Sequence, residues 1–196
     1  MDEKIANIYQ RARGFSIGAS ILGLFGGAWM LFGLRAWGVS WAVAIVVAAT
    51  GAVATVAAST AIRRRLPSIA VPESPERQRR DRWFHIINGA QWVAVIVLVN
   101  VLQHFGLGAW VMWSVALVVG LHFLPLTWVF GTRHHLWTGV AMIASVVVCA
   151  FLPEPARDAT VCTAAGITLW CSVLFWLYQG FALVRQLGSA PLAPAR

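Results

Sequence analysis

Apolar positions in this chain do not alternate with polar ones as in a barrel strand. They gather into six long runs, at about residues 15–34, 40–62, 83–103, 107–130, 136–152 and 159–182. A helix of about 20 apolar residues crosses about 30 Å of hydrocarbon. The pattern therefore predicts an all-α, polytopic membrane protein. Its expected form is a bundle of six transmembrane helices in three consecutive hairpins, forming a single domain over 1–196. The fifth run is the shortest. The first is too long for a signal peptide, and Arg35-Ala36-Trp37-Gly38 leads straight into the next run without a small-residue cleavage site.

Composition strengthens the class. The chain is 59% hydrophobic and 11% charged, against roughly 25% charged in soluble domains, and its mean hydropathy is +0.73. The net charge of +8 would suit a nucleic-acid partner, but the distribution of the charges argues against one. If the N-terminus is cytoplasmic, Lys4, Arg11, Arg13, Arg63, Arg64, Arg65, Arg77, Arg79, Arg80, Arg82, Arg133, Arg185 and Arg196 all fall inside. Arg35 and Arg157 alone fall outside. That asymmetry is the positive-inside pattern. It predicts an even number of spans, both termini cytoplasmic, and no nucleic-acid partner.

The segment RRRLPSIAVPESPERQRRDR, residues 63–82, reads as the one long cytoplasmic loop. Pro67, Pro72 and Pro75 oppose a continuous helix across it. Its arginine clusters are expected to lie on anionic lipid headgroups, each cation worth about 1 kcal/mol near the surface. The bilayer and those headgroups are the partners the sequence supports. A homo-oligomer is compatible with it, and any small-molecule solute is left unidentified.

Span one carries Gly14, Gly18, Gly23 and Gly27, and span two is rich in alanine. Small residues four apart let helix backbones approach closely and gain contacts that lipid does not replace. These glycines are therefore expected to pack spans one and two together. Of the 11 tryptophans, Trp37, Trp41, Trp83, Trp128, Trp137 and Trp176 fall near span ends, as interfacial belts do. Trp92 and Trp170 fall near mid-span. Their indole N–H groups need an acceptor there, which favours the bundle interior. Cys149, Cys162 and Cys171 read as small buried thiols.

Every Asp and Glu lies outside the spans, so an intramembrane carboxylate of the kind used by many coupled carriers is lacking. The ionisable group well inside a span is His122, in VVGLHFLPL. At 1.5 Å per residue it lies about 5 Å from the midplane, with Gln91 about 3 Å and Asn88 about 7–8 Å from it on the same side. Pro125 lacks an N–H and its ring clashes with the Leu121 carbonyl. A kink at Gly120, Leu121 and Pro125 is expected to free that carbonyl beside the imidazole. Two readings follow. His122, Asn88 and Gln91 either fasten spans three and four together or line a small polar cavity facing the cytoplasm.

Other chemistry finds little support. The histidines do not pair at one depth for haem. His134 and His135 are consecutive and diverge by about 100° on a helix. GxSxG, HExxH and phosphate-cradling glycine loops are missing. No catalytic residue, metal site or cofactor is assigned, and an enzyme is disfavoured.

VVGLHFLPL, with RWFHIINGAQW on the preceding span, resembles an uncharacterised family of small bacterial multi-pass membrane proteins. The likeness covers mainly spans three and four. It implies a helical membrane fold and an address in the bacterial inner membrane, and carries over no catalytic residue. The functional expectation is a small permease or channel-like protein with a cytoplasm-facing polar cavity. The alternative is a non-catalytic membrane accessory subunit or oligomeric scaffold.

Overall fold

The computed structural model describes residues 3–67 and 74–189. It is all-helical, with no strand among the described residues. Six α-helices follow one another: α1 (Glu3–Ala36), α2 (Trp41–Arg65), α3 (Pro75–His104), α4 (Val111–Phe130), α5 (Arg133–Cys149) and α6 (Ala156–Ser189). A short 3-10 turn, Gly108–Trp110, leads into α4. Five segments are long and apolar enough to cross a membrane: α1, α2, α3, α6 and the stretch Gly108–Phe130 that contains α4. With 17 residues, α5 is about 25 Å long.

Several helices outrun the apolar runs that announce them. The expected loop 63–82 is the main correction. Arg63, Arg64 and Arg65 form the last turn of α2, and α3 begins at Pro75. Ser74 caps α3 by accepting a hydrogen bond from the Arg77 amide at 3.3 Å. Pro75 occupies the first turn, where a missing N–H costs nothing because that donor has no intrahelical partner. Four arginines, Arg77 to Arg82, thus ride on the start of α3. Pro72 lies outside the described residues.

Pairwise contacts fix the direction of each helix. Gly23 and Gly27 of α1 meet Thr55 and Ala48 of α2, and Gly18, Gly26 and Gly33 of α1 meet Trp176, Trp170 and Thr163 of α6. Rising numbers on one helix meet falling numbers on the other, so α1 is antiparallel to both. The same logic makes α4 antiparallel to α5, through Gly120 against Met142 and Ile143 and Gly139 against Phe123. Phe84 of α3 meets Phe130 of α4 with ring centroids 5.6 Å apart. All six helices therefore alternate in direction. The ends bearing Arg63–Arg65, Arg77–Arg82, Arg133 and Arg185 gather at one end of the bundle.

The most extensive interface joins α1 to α6. It is set by small residues. A Cβ on Gly33 would lie 2.4 Å from Thr163 Oγ1, and one on Gly166 would lie 3.1 Å from the Gly26 carbonyl oxygen. Trp170 fills the space left by Gly26 and Gly51 and donates its indole N–H to the Gly23 carbonyl at 3.2 Å. Of the four glycines singled out in span one, Gly18, Gly23 and Gly27 each admit a neighbour. Gly14 has open space around it.

The principal core runs through α1, α4, α5 and α6 and includes Trp29, Phe123, Leu126, Met142, Val146, Cys149, Cys162 and Leu169. The outer surface is strongly apolar: Val46, Val53, Val93, Ile96, Val148, Phe151 and Leu174 are all exposed. Soluble monomers rarely expose such continuous apolar area, whereas a bilayer would cover it. The extreme case is α3, which has no buried residue and packs mainly on α4.

Candidate functional site

The residues expected to form a polar site lie on α3 and α4, but their hydrogen bonds do not converge. Asn88 Nδ2 donates to the Phe84 carbonyl of its own helix at 2.8 Å. His122 is partly buried and lies beside the backbone of Ile87 on α3. Its Nδ1 is buried with no hydrogen-bond partner among the described residues. Gln91 is half-buried. No hydrogen bond among the described residues joins His122 to Asn88 or Gln91. The histidine ring instead meets Phe123 edge-on, with centroids 5.6 Å apart.

Pro125 lies within a helix that continues unbroken from Val111 to Phe130. Leu121 is about half exposed. Gly120 is buried against α5: a Cβ there would meet Ile143 Cγ1 at 3.0 Å, and a Cβ on Gly139 would meet the Gly120 carbonyl at 2.9 Å. These two glycines let α4 and α5 cross closely.

Most hydroxyls in the helices are satisfied locally. Ser20, Thr55, Thr163 and Ser172 donate to carbonyls four residues back, at 2.7–3.1 Å. Such bonds use the hydroxyl's single hydrogen and leave its lone pairs to accept. One buried pair spans two helices: Thr138 Oγ1 and Ser172 Oγ are 2.7 Å apart, joining α5 to α6. Next to it, at the arginine-rich end, His135 is buried and stacks on Phe123 at 6.0 Å, with Trp176 edge-on at 5.1 Å. His134 stacks on Phe175 at 3.8 Å. The consecutive histidines do diverge, each into an aromatic layer between helices.

Two tryptophans depart from expectation. Trp176 is buried against Gly18 and His135 instead of sitting in an interfacial belt. Trp92 is half exposed and touches Phe25 at a centroid distance of 6.4 Å, because α3 sits at the rim where little protein is available to cover it. Cys149 and Cys162 are buried in the core, whereas Cys171 is exposed. No cluster of metal-ligating side chains is present among the described residues.

Two features escaped the sequence reading. One is a clasp at the end opposite the arginine clusters. Arg157, on the first turn of α6, is buried with its guanidinium 3.8 Å from the Trp110 ring centroid. It donates to the Ala109 carbonyl at 2.7 Å and pairs with Glu154. It thereby ties the α5–α6 turn to the α3–α4 turn. Trp113 adds a bond from its indole N–H to the Val146 carbonyl at 2.7 Å. The signal in the sequence is only that Arg157 and Arg35 stand apart from all the other arginines. The other feature is a cavity of about 440 Å³ lined by Ala57, Thr60, Ala61, Arg64 and Arg65 on α2. It lies on a different helix from His122. Comparisons of the chain with family models, with curated proteins and with solved structures return no match.

Proposed function

We propose that this chain is a six-span integral membrane protein acting as a non-catalytic accessory subunit or scaffold, with both termini cytoplasmic. The carrying observation is that the side chains expected to face a solute do not converge: the Asn88 amide donates to the Phe84 carbonyl of its own helix, and no hydrogen bond among the described residues joins it to His122. In this reading α5 crosses with the others. It lies along α4 from the level of Phe130, near His135, to that of Trp113, near Val146. The charge asymmetry supports the orientation. The bacterial inner membrane as its address rests on the resemblance carried by VVGLHFLPL.

A permease with a cavity near His122 is the second reading. It is favoured by the buried, unpartnered Nδ1 of that residue, since an unsatisfied buried polar atom costs about 1–3 kcal/mol and a water-filled path would relieve it. One experiment separates the two. His122→Cys is placed in a chain whose Cys149, Cys162 and Cys171 are replaced by alanine, and is exposed to a membrane-impermeant thiol reagent from each side. The scaffold reading expects no labelling from either side. Rapid labelling from the cytoplasmic side would overturn it in favour of the permease. Reporter fusions at residue 70 and at the C-terminus are both expected to read cytoplasmic, and an external signal at either would overturn the topology.

A further inference from the structure

We propose that the cavity on α2 is a binding site for one anionic phospholipid, with the phosphate held by Arg64, Arg65 and Thr60 and the upper acyl chain laid against Ala57 and Ala61. The inference rests on the membrane reading above and adds a ligand and a site to it.

The spacing of the lining residues comes first. Positions 57, 60, 61, 64 and 65 follow the i, i+3, i+4, i+7 rule and share one face of α2. Ala57 and Ala61 remove side-chain bulk from that face, and the two arginines stand at its end. From Ala57 to Arg65 the helix rises about 12 Å. The open pocket of about 440 Å³ thus lies along the outer face of α2, with a cationic end at Arg64 and Arg65 and an apolar end at Ala57 and Ala61. That gradient matches a phospholipid, charged at the head and apolar below. A free inorganic anion would use the cationic end alone.

The charge at the cationic end is uncommitted. Among the described residues both ion pairs belong to Arg157, and no described carboxylate pairs with Arg64 or Arg65. Both are exposed. The Arg65 guanidinium lies 5.7 Å from the Phe181 ring of α6, which orients it without cancelling its charge. Arg63 is turned differently. It donates from Nη2 to Thr60 Oγ1 at 3.0 Å, so the Thr60 oxygen serves as acceptor and its hydroxyl hydrogen is available to a phosphate oxygen. One effect opposes the site: a helix C-terminus carries about half a negative charge. Three full positive charges in the last turn outweigh it.

The test uses the full chain, first shown to stay in membranes through an alkaline wash and then purified in a neutral detergent. Loss from the membrane at that step would count against the membrane reading itself and so separates the two failures. Acyl-chain spin-labelled phosphatidylglycerol and phosphatidylcholine are then titrated, with inorganic phosphate as competitor. The unmodified chain is expected to hold a motionally restricted phosphatidylglycerol in preference to phosphatidylcholine. Arg64→Gln with Arg65→Gln is expected to weaken that binding about tenfold or more, because both charges that face the phosphate are lost. Arg79→Gln with Arg82→Gln removes the same charge elsewhere and is expected to change it less than twofold. Ala61→Leu keeps every charge but fills the groove, and is expected to release the restricted lipid. Equal losses from the two arginine pairs would overturn the site in favour of diffuse surface attraction. An unaffected Ala61→Leu variant would overturn the groove. Full displacement by millimolar phosphate would overturn the lipid assignment and leave a phosphate site.

Discussion

Arg157 and Arg64 stand at opposite ends of the bundle, each in a terminal turn of a long helix, and their surroundings could hardly differ more. Arg157 is buried, stacked on Trp110, bonded to the Ala109 carbonyl and paired with Glu154. Arg64 is exposed, with no carboxylate partner among the described residues. Arg35, the other arginine at the Arg157 end, resembles Arg157: it is half-buried, donates to the Val39 carbonyl and lies 4.4 Å from the Trp41 ring centroid. The arginines at the crowded end are mostly exposed. The same side chain therefore does two jobs. Where arginines are few, the protein itself satisfies them and they hold turns together. Where they are many, the fold leaves most of them facing outward.

The largest effect that would break this contrast is at Arg157. Arg157→Ala removes a charge-assisted hydrogen bond worth about 1.5–3 kcal/mol and a cation–π contact worth about 0.5–2 kcal/mol. A loss of about 3 kcal/mol corresponds to about 6–12 °C in melting temperature for a chain of this size, read by thermal unfolding in detergent. Arg157→Lys should recover part of it, because the charge stays while the planar stacking is lost. A shift below about 2 °C for the alanine variant would mean that the clasp contributes nothing to stability.

Arg35→Gln sharpens the comparison at intermediate size. Its contacts are local and half exposed, so a loss of about 0.5–1 kcal/mol is expected, or about 1–4 °C on the same measurement. A loss as large as that at Arg157 would show that burial is not what separates the two. The smallest effect is expected at the crowded end. Arg79→Gln with Arg82→Gln should leave the melting temperature unchanged to within about 0.5 kcal/mol. A clear destabilisation there would show that these exposed arginines hold structure after all.

The candidate polar site illustrates what a depth argument reads and what it misses. Rise per residue puts Asn88, Gln91 and His122 near one level, and α3 does lie antiparallel on α4. Depth says nothing of azimuth. The Asn88 amide was free to choose between a neighbouring helix and the carbonyl one turn back, and it bonds the nearer Phe84 carbonyl, which costs little ordering. Short polar side chains on helices commonly have that local option. Trp170 had none: its indole N–H reaches a carbonyl only across a helix boundary, so it is bonded across α1.

By itself the sequence determined the helices, their alternation and the end at which the cations collect. Those follow from apolar runs, five of them in helices long enough to cross a membrane, and from charges that do not enter them. Helix ends were less legible, since α1, α3 and α6 continue past the apolar zone on polar residues that propagate a helix readily once it is nucleated. The choice of neighbours was decided by the tertiary structure. Glycine in span one announced a close approach, and the partner inferred was α2, yet the larger share of that face belongs to α6. The reason is physical. In a soluble protein the apolar face of a helix points to the core, so the pattern reveals the buried side. In a chain apolar on every side, lipid competes equally for each face, and association is settled by shape: which glycine admits Trp170 or Trp176, and which pair of backbones fits closely enough to gain dispersion that lipid does not supply. That fit depends on coordinates from helices far apart in the chain, and no local pattern encodes it.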